Sequence, residues 1–307
     1  MEFNNRWFGY KDFDSHYNIL LFGIRIRIKH DAIFEVKEVQ EYGVTNYKKN
    51  PQLIVSLTSF PQRIQAVVNT IKTLLNQTTK PDRIVLWLAE EQFPQLYKDL
   101  PDELKNLEKF GLEIKWCEDL RSYKKLIPSL RECPADIIVT ADDDILYAED
   151  WLESLYNEYL KNPENIYVRR ARRVFIEENR IKHISVKEDI FTKNEGASYK
   201  NRIAGGSGCL FPPASLHPDV MNIDLVKNLI PTHDDVFFWA MGVLNKRKIQ
   251  VVKGFSANMY VQPEVQKYGL CKINRKGNSG TPIQEAFDKI SQKYPEILEI
   301  IKNEDVK

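Results

Sequence analysis

No stretch of about 18 consecutive apolar residues occurs anywhere in the 307 residues, so the sequence predicts no membrane-crossing helix. Cysteine is scarce: Cys117, Cys133, Cys209 and Cys271 lie far apart with no CxxC pair, which indicates neither a disulfide framework nor a zinc site. Charge of one sign is missing too. With 44 Lys and Arg against 43 Asp and Glu, the chain lacks the cationic excess that a dedicated nucleic-acid binder needs. The apolar fraction, 43%, is ordinary, and together with the near-zero net charge it excludes a mainly disordered chain. The first residues have neither the basic start nor the apolar stretch of a signal peptide, so the expectation is a soluble, cytoplasmic protein in a reducing compartment. GxSxG, HExxH, the P-loop GK[ST] and the GxGxxG fingerprint are absent as well, which removes the common covalent-hydrolase, zinc-protease and dinucleotide-binding readings.

What is present falls into two parts. Ile24, Ile26 and Ile28 alternate with Arg25, Arg27 and Lys29, the period of a half-buried strand, and residues 1–50 read as a small appendage of one strand or a hairpin. Its basic side is either an edge guarded by charge or a surface for an anionic membrane. From Pro51 onward, strands over 53–58, 83–88, 112–116 and 137–140 alternate with helical stretches over 64–75, 95–110 and 124–132. Such alternation predicts an α/β fold with a mostly parallel sheet flanked by helices, in one domain over 51–307. Ile283, Phe287, Ile290, Tyr294, Ile297 and Ile301 recur at helical spacing and predict one amphipathic C-terminal helix over 282–303.

In an open α/β sheet, ligands collect beyond the carboxyl ends of the strands. There the chain places Asp142, Asp143 and Asp144, directly after the apolar run Ile137 to Thr140. Three adjacent carboxylates raise one another's pKa unless a cation compensates, and a hard divalent ion such as Mn2+ or Mg2+ is the natural one. In extended backbone Asp142 and Asp144 point one way and Asp143 the other; the alternative is that the group caps the helix predicted near 149–160. A second acidic pair, Asp234 and Asp235, opens a helix: one carboxylate can cap it while the other acts as a general base. Arg169, Arg170, Arg172 and Arg173 form the one dense basic run, either anion contacts or a solvated edge. Gly205, Gly206, Ser207 and Gly208 form a turn that lets backbone approach a ligand closely.

The succession Val55 to Ile64, Tyr123 to Pro128, Thr140 to Asp144, Gly205 to Pro213 and Asp234 to Trp239 resembles bacterial GT-A glycosyltransferases, family 2-like, of surface-polysaccharide (capsule or lipopolysaccharide) synthesis. The segment Phe22 to Ile26 is similar to a short N-terminal motif met on such enzymes. The resemblance implies a GT-A sheet, a nucleotide-sugar donor (a UDP-sugar favoured), and Mn2+ or Mg2+ on its pyrophosphate. It implies that Thr58, Phe60 and Arg63 line the nucleoside pocket, that Lys125 approaches the donor, and that Asp142, Asp143 and Asp144 serve donor and metal, with Asp142 and Asp144 on ribose and metal. Gly205 to Gly208 would face the donor sugar or the acceptor. Asp235 would be the base of an inverting single displacement, with Asp234 as its substitute. The acceptor implied is a hydroxyl of a glycan or lipid-linked glycan, at the cytoplasmic face of the inner membrane with peripheral contact to it.

Two other classes compete. A metal-dependent sugar-phosphate phosphatase would carry its DxDxT after the first strand, and a nucleotidyltransferase a glycine-rich loop there; this chain has Thr58-Ser59-Phe60-Pro61 at that place. A catalytically inactive sugar-nucleotide binding protein would show metal-dependent nucleotide binding without turnover.

Overall fold

The computed structural model describes residues 34–184, 196–204, 207–252, 260–268 and 282–304, and the backbone of four N-terminal strands. Those four are β1 Phe3–Asn4, β2 Phe8–Phe13, β3 His16–Leu21 and β4 Ile24–Lys29, an antiparallel meander in chain order where one strand or a hairpin was expected. Residues 34–50 hold no regular element and pack on the α/β domain that begins at Pro51. Val39 is buried in the core of that domain, and the Gly43 and Thr45 amides donate to the Phe110 and Pro81 carbonyls, each at 2.8 Å.

The remaining strands are β5 Leu53–Thr58, β6 Arg83–Ala89, β7 Leu112–Cys117, β8 Ile137–Thr140, β9 Ile145–Leu146, β10 Ile166–Val168, β11 Ala171–Glu177, β12 Arg180–His183, β13 Asn201–Ile203, β14 Cys209–Phe211, β15 Ile249–Val251 and β16 Tyr260–Val261. Seven of them build the central sheet in the order β15-β10-β14-β8-β5-β6-β7. The run β8-β5-β6-β7 is parallel, as is β10-β15, and β14 lies antiparallel between β8 and β10. The sheet is therefore mixed and mostly parallel, as the alternation of elements predicts.

Its strands are near-continuously apolar because both faces are covered. Along β5, Leu53, Val55 and Leu57 enter one core while Ile54 enters the other. The helices are α1 Val67–Leu75, α2 Asp102–Asn106, α3 Ile127–Glu132, α4 Trp151–Lys161, α5 Ile223–Leu229 and α6 Asp234–Leu244, followed by Ile283–Lys293 and Glu296–Asn303. Val68, Ile71 and Leu75 of α1, with Trp151 and Leu155 of α4, cover the Leu53 side. Phe237 and Trp239 of α6, Phe287, Ile290, Ile297 and Ile301 cover the other.

Three helical expectations change. The single C-terminal helix over 282–303 is two helices, because Pro295 disfavours helical backbone at the residue before it; Tyr294 sits at φ −132° and ψ 75°. Hydrophobic spacing survives the break, since both pieces press the same core. The stretch 95–110 is a chain of short turns around α2, interrupted at Pro101 and closed by Gly111 at φ 104°. The helix expected over 124–132 begins as a 3-10 turn, Arg121–Lys125, and becomes α3 only after Leu126.

Candidate active site

Parallel order puts the ends of β5 and β8 side by side, so the segments after them meet. After β5 the chain turns through Ser59 and Phe60 into a 3-10 turn, Pro61–Arg63, with Phe60 extended and Pro61 opening the turn. After β8 it enters the Asp142–Asp144 loop. The Arg121–Lys125 turn and the first turn of α6 close the space from the other core.

Lys125 joins the two acidic clusters. Its Nζ lies 2.9 Å from Asp142 Oδ1 and 2.8 Å from Asp234 Oδ2, and the side chain is only 9% exposed. Burial works against its ammonium, yet Asp142, Asp234 and Asp235 outweigh that and hold its pKa well above the ordinary range. Asp234 also accepts from Ser122 Oγ at 2.9 Å. Asp235, half-buried, follows in the same turn, and its charge adds to burial in pushing up the Cys209 thiol. Neither aspartate is the N-cap; His233 is.

The loop aspartates divide their work. Asp142 is raised by burial, with Lys125 opposing, and its backbone amide donates to Tyr147 Oη at 2.8 Å. Asp143, expected among the donor contacts, is 6% exposed and satisfied within the protein: Ser59 Oγ donates at 2.7 Å and Arg63 Nη1 at 2.6 Å. Burial pushes it up to about 6 against the pull of Arg63. Asp144 Oδ2 lies 3.1 Å from Arg63 Nη1 and accepts from Gln266 Nε2 at 2.7 Å. The three do not cap the next helix, α4, whose N-cap is Asp150.

The other expected residues are scattered between the site and the scaffold. The Thr58 hydroxyl donates to the Trp87 carbonyl at 2.7 Å and so serves the sheet. The Phe60 ring lies 5.5 Å from the Arg63 guanidinium, a cation–π contact that keeps the pair together at the loop. Gly205 and Gly206 lie outside the described residues. Ser207 is buried and its carbonyl accepts from Trp151 Nε1 at 2.9 Å. Gly208 stands at φ +97°, where a Cβ would come within 2.5 Å of the Trp151 ring, so close packing explains this glycine. The arginine run is divided: Arg173 donates to Asn201 Oδ1 at 2.8 Å, Arg169 donates to Ser154 Oγ at 3.3 Å, and Arg170 is exposed at the turn into β11. Burial lowers the Arg169 pKa to about 10. Arg172 and Arg173, as neighbours on β11, point to opposite faces.

Sequence reasoning passed over Ser59, Ser122, Tyr147, Gln262 and Gln266. Ser59 and Ser122 lie beside residues already singled out, and could have been found as short donors next to buried acids. Gln262 and Gln266 carry no charge and come from a distant segment, so no local pattern marks them.

Five carboxylates, Asp142, Asp143, Asp144, Asp234 and Asp235, thus surround two cations, Arg63 and Lys125. Such a surplus of buried negative charge suits a site that takes up a cation together with its ligand. Among the described residues no three His, Cys, Asp or Glu are grouped to hold a metal by themselves. No donor among the described residues reaches Asp142 Oδ2 or Asp144 Oδ1, and Arg63 Nε is buried without an acceptor there. Two open carboxylate oxygens fit a hard divalent ion that shares its shell with phosphate. An idle guanidinium N–H fits an anionic ligand.

Residues 60–212 match the family model described as Glycosyl transferase family 2, which indicates a glycosyltransferase. A search of curated proteins finds no match. Among solved structures, the chain is similar to a mannosyltransferase from Pyrobaculum calidifontis in complex with GDP-Man and Mn2+, at 12% identity and TM-score 0.47, over 87% of this chain and 77% of that one. It is similar to GalNAc-T7 with UDP, GalNAc and Mn2+, at 14% identity and TM-score 0.44, over 67% and 43%. A third likeness is to S. aureus TarS 1-349, at 12% identity and TM-score 0.46, over 72% and 64%. The chain thus spans less than two thirds of the latter two.

Proposed function

We propose that this glycosyltransferase moves a sugar from a nucleotide-sugar donor to a hydroxyl of a glycan or glycolipid, with inversion, and that it depends on Mn2+ or Mg2+. The observation that carries the reading is the Lys125 bridge, which brings Asp142 of the loop after β8 to Asp234 of α6 across one buried ammonium. It unites a cation-binding cluster with a base-bearing helix turn in one space.

Asp142 and Asp144 would hold the ion through their open oxygens, and the bound ion would offset charge developing on the departing diphosphate. Arg63, buttressed by Asp143, turns its unpaired Nε–H toward an anionic group of the donor. Phe60 flanks the same guanidinium, in place to line a nucleoside pocket. Asp234 is held by Lys125 and Ser122 and so orients the turn, and Asp235 beside it would take the acceptor proton as the acceptor oxygen attacks the anomeric carbon. Attack of the acceptor oxygen from the face opposite the diphosphate, whose bond to the anomeric carbon breaks as the new one forms, gives single displacement with inversion. Asp143 serves by holding Ser59 and Arg63 rather than by touching the donor.

The motif order supports a role in bacterial surface-polysaccharide synthesis, with a UDP-sugar as donor and a cytoplasmic location at the inner membrane. Among the described residues no helix is long and apolar enough to cross a membrane. A thermal-shift screen with UDP, GDP, CMP and dTDP, each with and without Mn2+, tests the reading. Stabilisation by one nucleotide only when Mn2+ is present supports it and names the donor class. The absence of any metal-linked shift would sink it.

A further inference from the structure

Asp144 is held by a segment that reaches it from far along the chain. β16 pairs antiparallel with β9, Tyr260 opposite Leu146 and Val261 opposite Ile145, and this lays the segment Tyr260–Tyr268 across the aspartate loop. Gln262, 2% exposed, is the anchor: its amide N–H donates to the Asp144 carbonyl at 2.9 Å, and its Nε2 to Thr70 Oγ1 at 3.1 Å and the Ala66 carbonyl at 3.2 Å. One turn of 3-10 helix later, Gln266 Nε2 donates to Asp144 Oδ2 at 2.7 Å. Arg63 Nη1 approaches the same oxygen at 3.1 Å but lies closer to Asp143, at 2.6 Å.

We propose that Gln266 is a positioning residue for cation binding, which holds Asp144 by Oδ2 and so presents Oδ1 to the metal. The inference rests on the reading of Asp144 as a metal-holding residue. Arg63 cannot do this alone. A guanidinium offers a planar fork, and an aspartate free to rotate would give it both oxygens and most of its charge. The Gln266 amide is neutral, so it fixes the carboxylate's orientation without neutralising it. A Lys or Arg in its place would compete with the metal for the same charge. Residues that orient a ligating carboxylate in this way change metal affinity without touching the ion.

The test is Mn2+ uptake, followed by the electron paramagnetic resonance signal of free Mn2+, with the nucleoside diphosphate that stabilises the protein in the thermal screen present throughout. Gln266→Ala is expected to weaken Mn2+ binding about 10- to 100-fold. Gln266→Glu, of equal length but with no N–H to donate at neutral pH, is expected to weaken it at least as much. The fold, read from the far-ultraviolet circular dichroism spectrum, should stay unchanged in both. Binding of Mn2+ within about twofold of wild type by both variants would overturn the inference, as would a loss in Gln266→Ala that Gln266→Glu restores, since packing alone would then account for it. Should Gln266→Ala fail to fold, Gln266→Glu decides by itself. If wild type takes up no Mn2+, the metal reading of Asp142 and Asp144 falls and this inference with it, a result distinct from wild-type uptake that the variants share.

Discussion

Replacing Lys125 by Met keeps nearly the same length and volume but removes the one cation between Asp142 and Asp234. Removing one partner of a buried ion pair costs about 3–5 kcal/mol, because the remaining charge stays desolvated and unpaired. Two features place this site at the lower end of that range. The Asp142 side chain is 28% exposed, and Asp234 keeps its hydrogen bond from Ser122. A loss of about 3 kcal/mol corresponds, at about 2 °C per kcal/mol for a chain this large, to a melting temperature lower by about 6 °C. The sign with pH depends on the direction of each shift. In wild type the Lys125 pKa is raised on folding, so its contribution is fully present at neutral pH and is lost only as pH rises beyond the ordinary lysine value of about 10.4. In the variant Asp142 loses the cation that opposes its burial, so its pKa rises further above the unfolded value of about 3.9; that penalty is full at neutral pH and fades as pH falls toward it. Differential scanning calorimetry at about pH 7.5 and about pH 5 should therefore show a deficit that shrinks in acid. Mn2+ should also raise the melting temperature of the variant more than that of wild type. A variant that melts within about 1 °C of wild type at neutral pH, or whose deficit is the same at both pH values, would refute the claim that Lys125 holds the two clusters together.

Asp235→Asn should lower transfer about a hundred- to ten-thousand-fold while leaving the nucleotide-induced melting shift intact; a rate near wild type would remove Asp235 from the base position. Gly208→Ala should destabilise by about 2–4 kcal/mol in urea titration, because it combines a positive φ with a Cβ pressed on Trp151. An unchanged midpoint would show that the Trp151 contact gives way at little cost.

The strands were legible because each is a short apolar run that one rule of burial explains. The runs over 53–58 and 137–140 match β5 and β8 to the residue. The C-terminal helix was half legible: its apolar stripe from Ile283 to Ile301 is real, but periodicity alone does not register that Pro295 lacks an N–H and forces Tyr294 out of helical backbone. The site was legible where chemistry clusters in sequence. Asp142 to Asp144 and Asp234-Asp235 announce themselves as repeated charge, and Lys125 was found through a resemblance. Alternation set Asp143 apart from Asp142 and Asp144, but that Ser59 and Arg63 capture its carboxylate was not legible, because those donors come from the loop after another strand.

By itself the sequence determined the α/β class, the mostly parallel pairing of its strands and the presence of two acidic clusters, since these come from the alternation of elements, from hydrophobic period and from like charges placed next to one another. Only the tertiary structure decided which atoms meet. That Lys125 stands between Asp142 and Asp234, that Arg63 divides itself between Asp143 and Asp144, and that Gln266 returns to hold Asp144 are contacts between segments brought together by sheet order and strand pairing. Local patterns describe what a residue can do, whereas partners at long sequence separation depend on where the packed core delivers each loop.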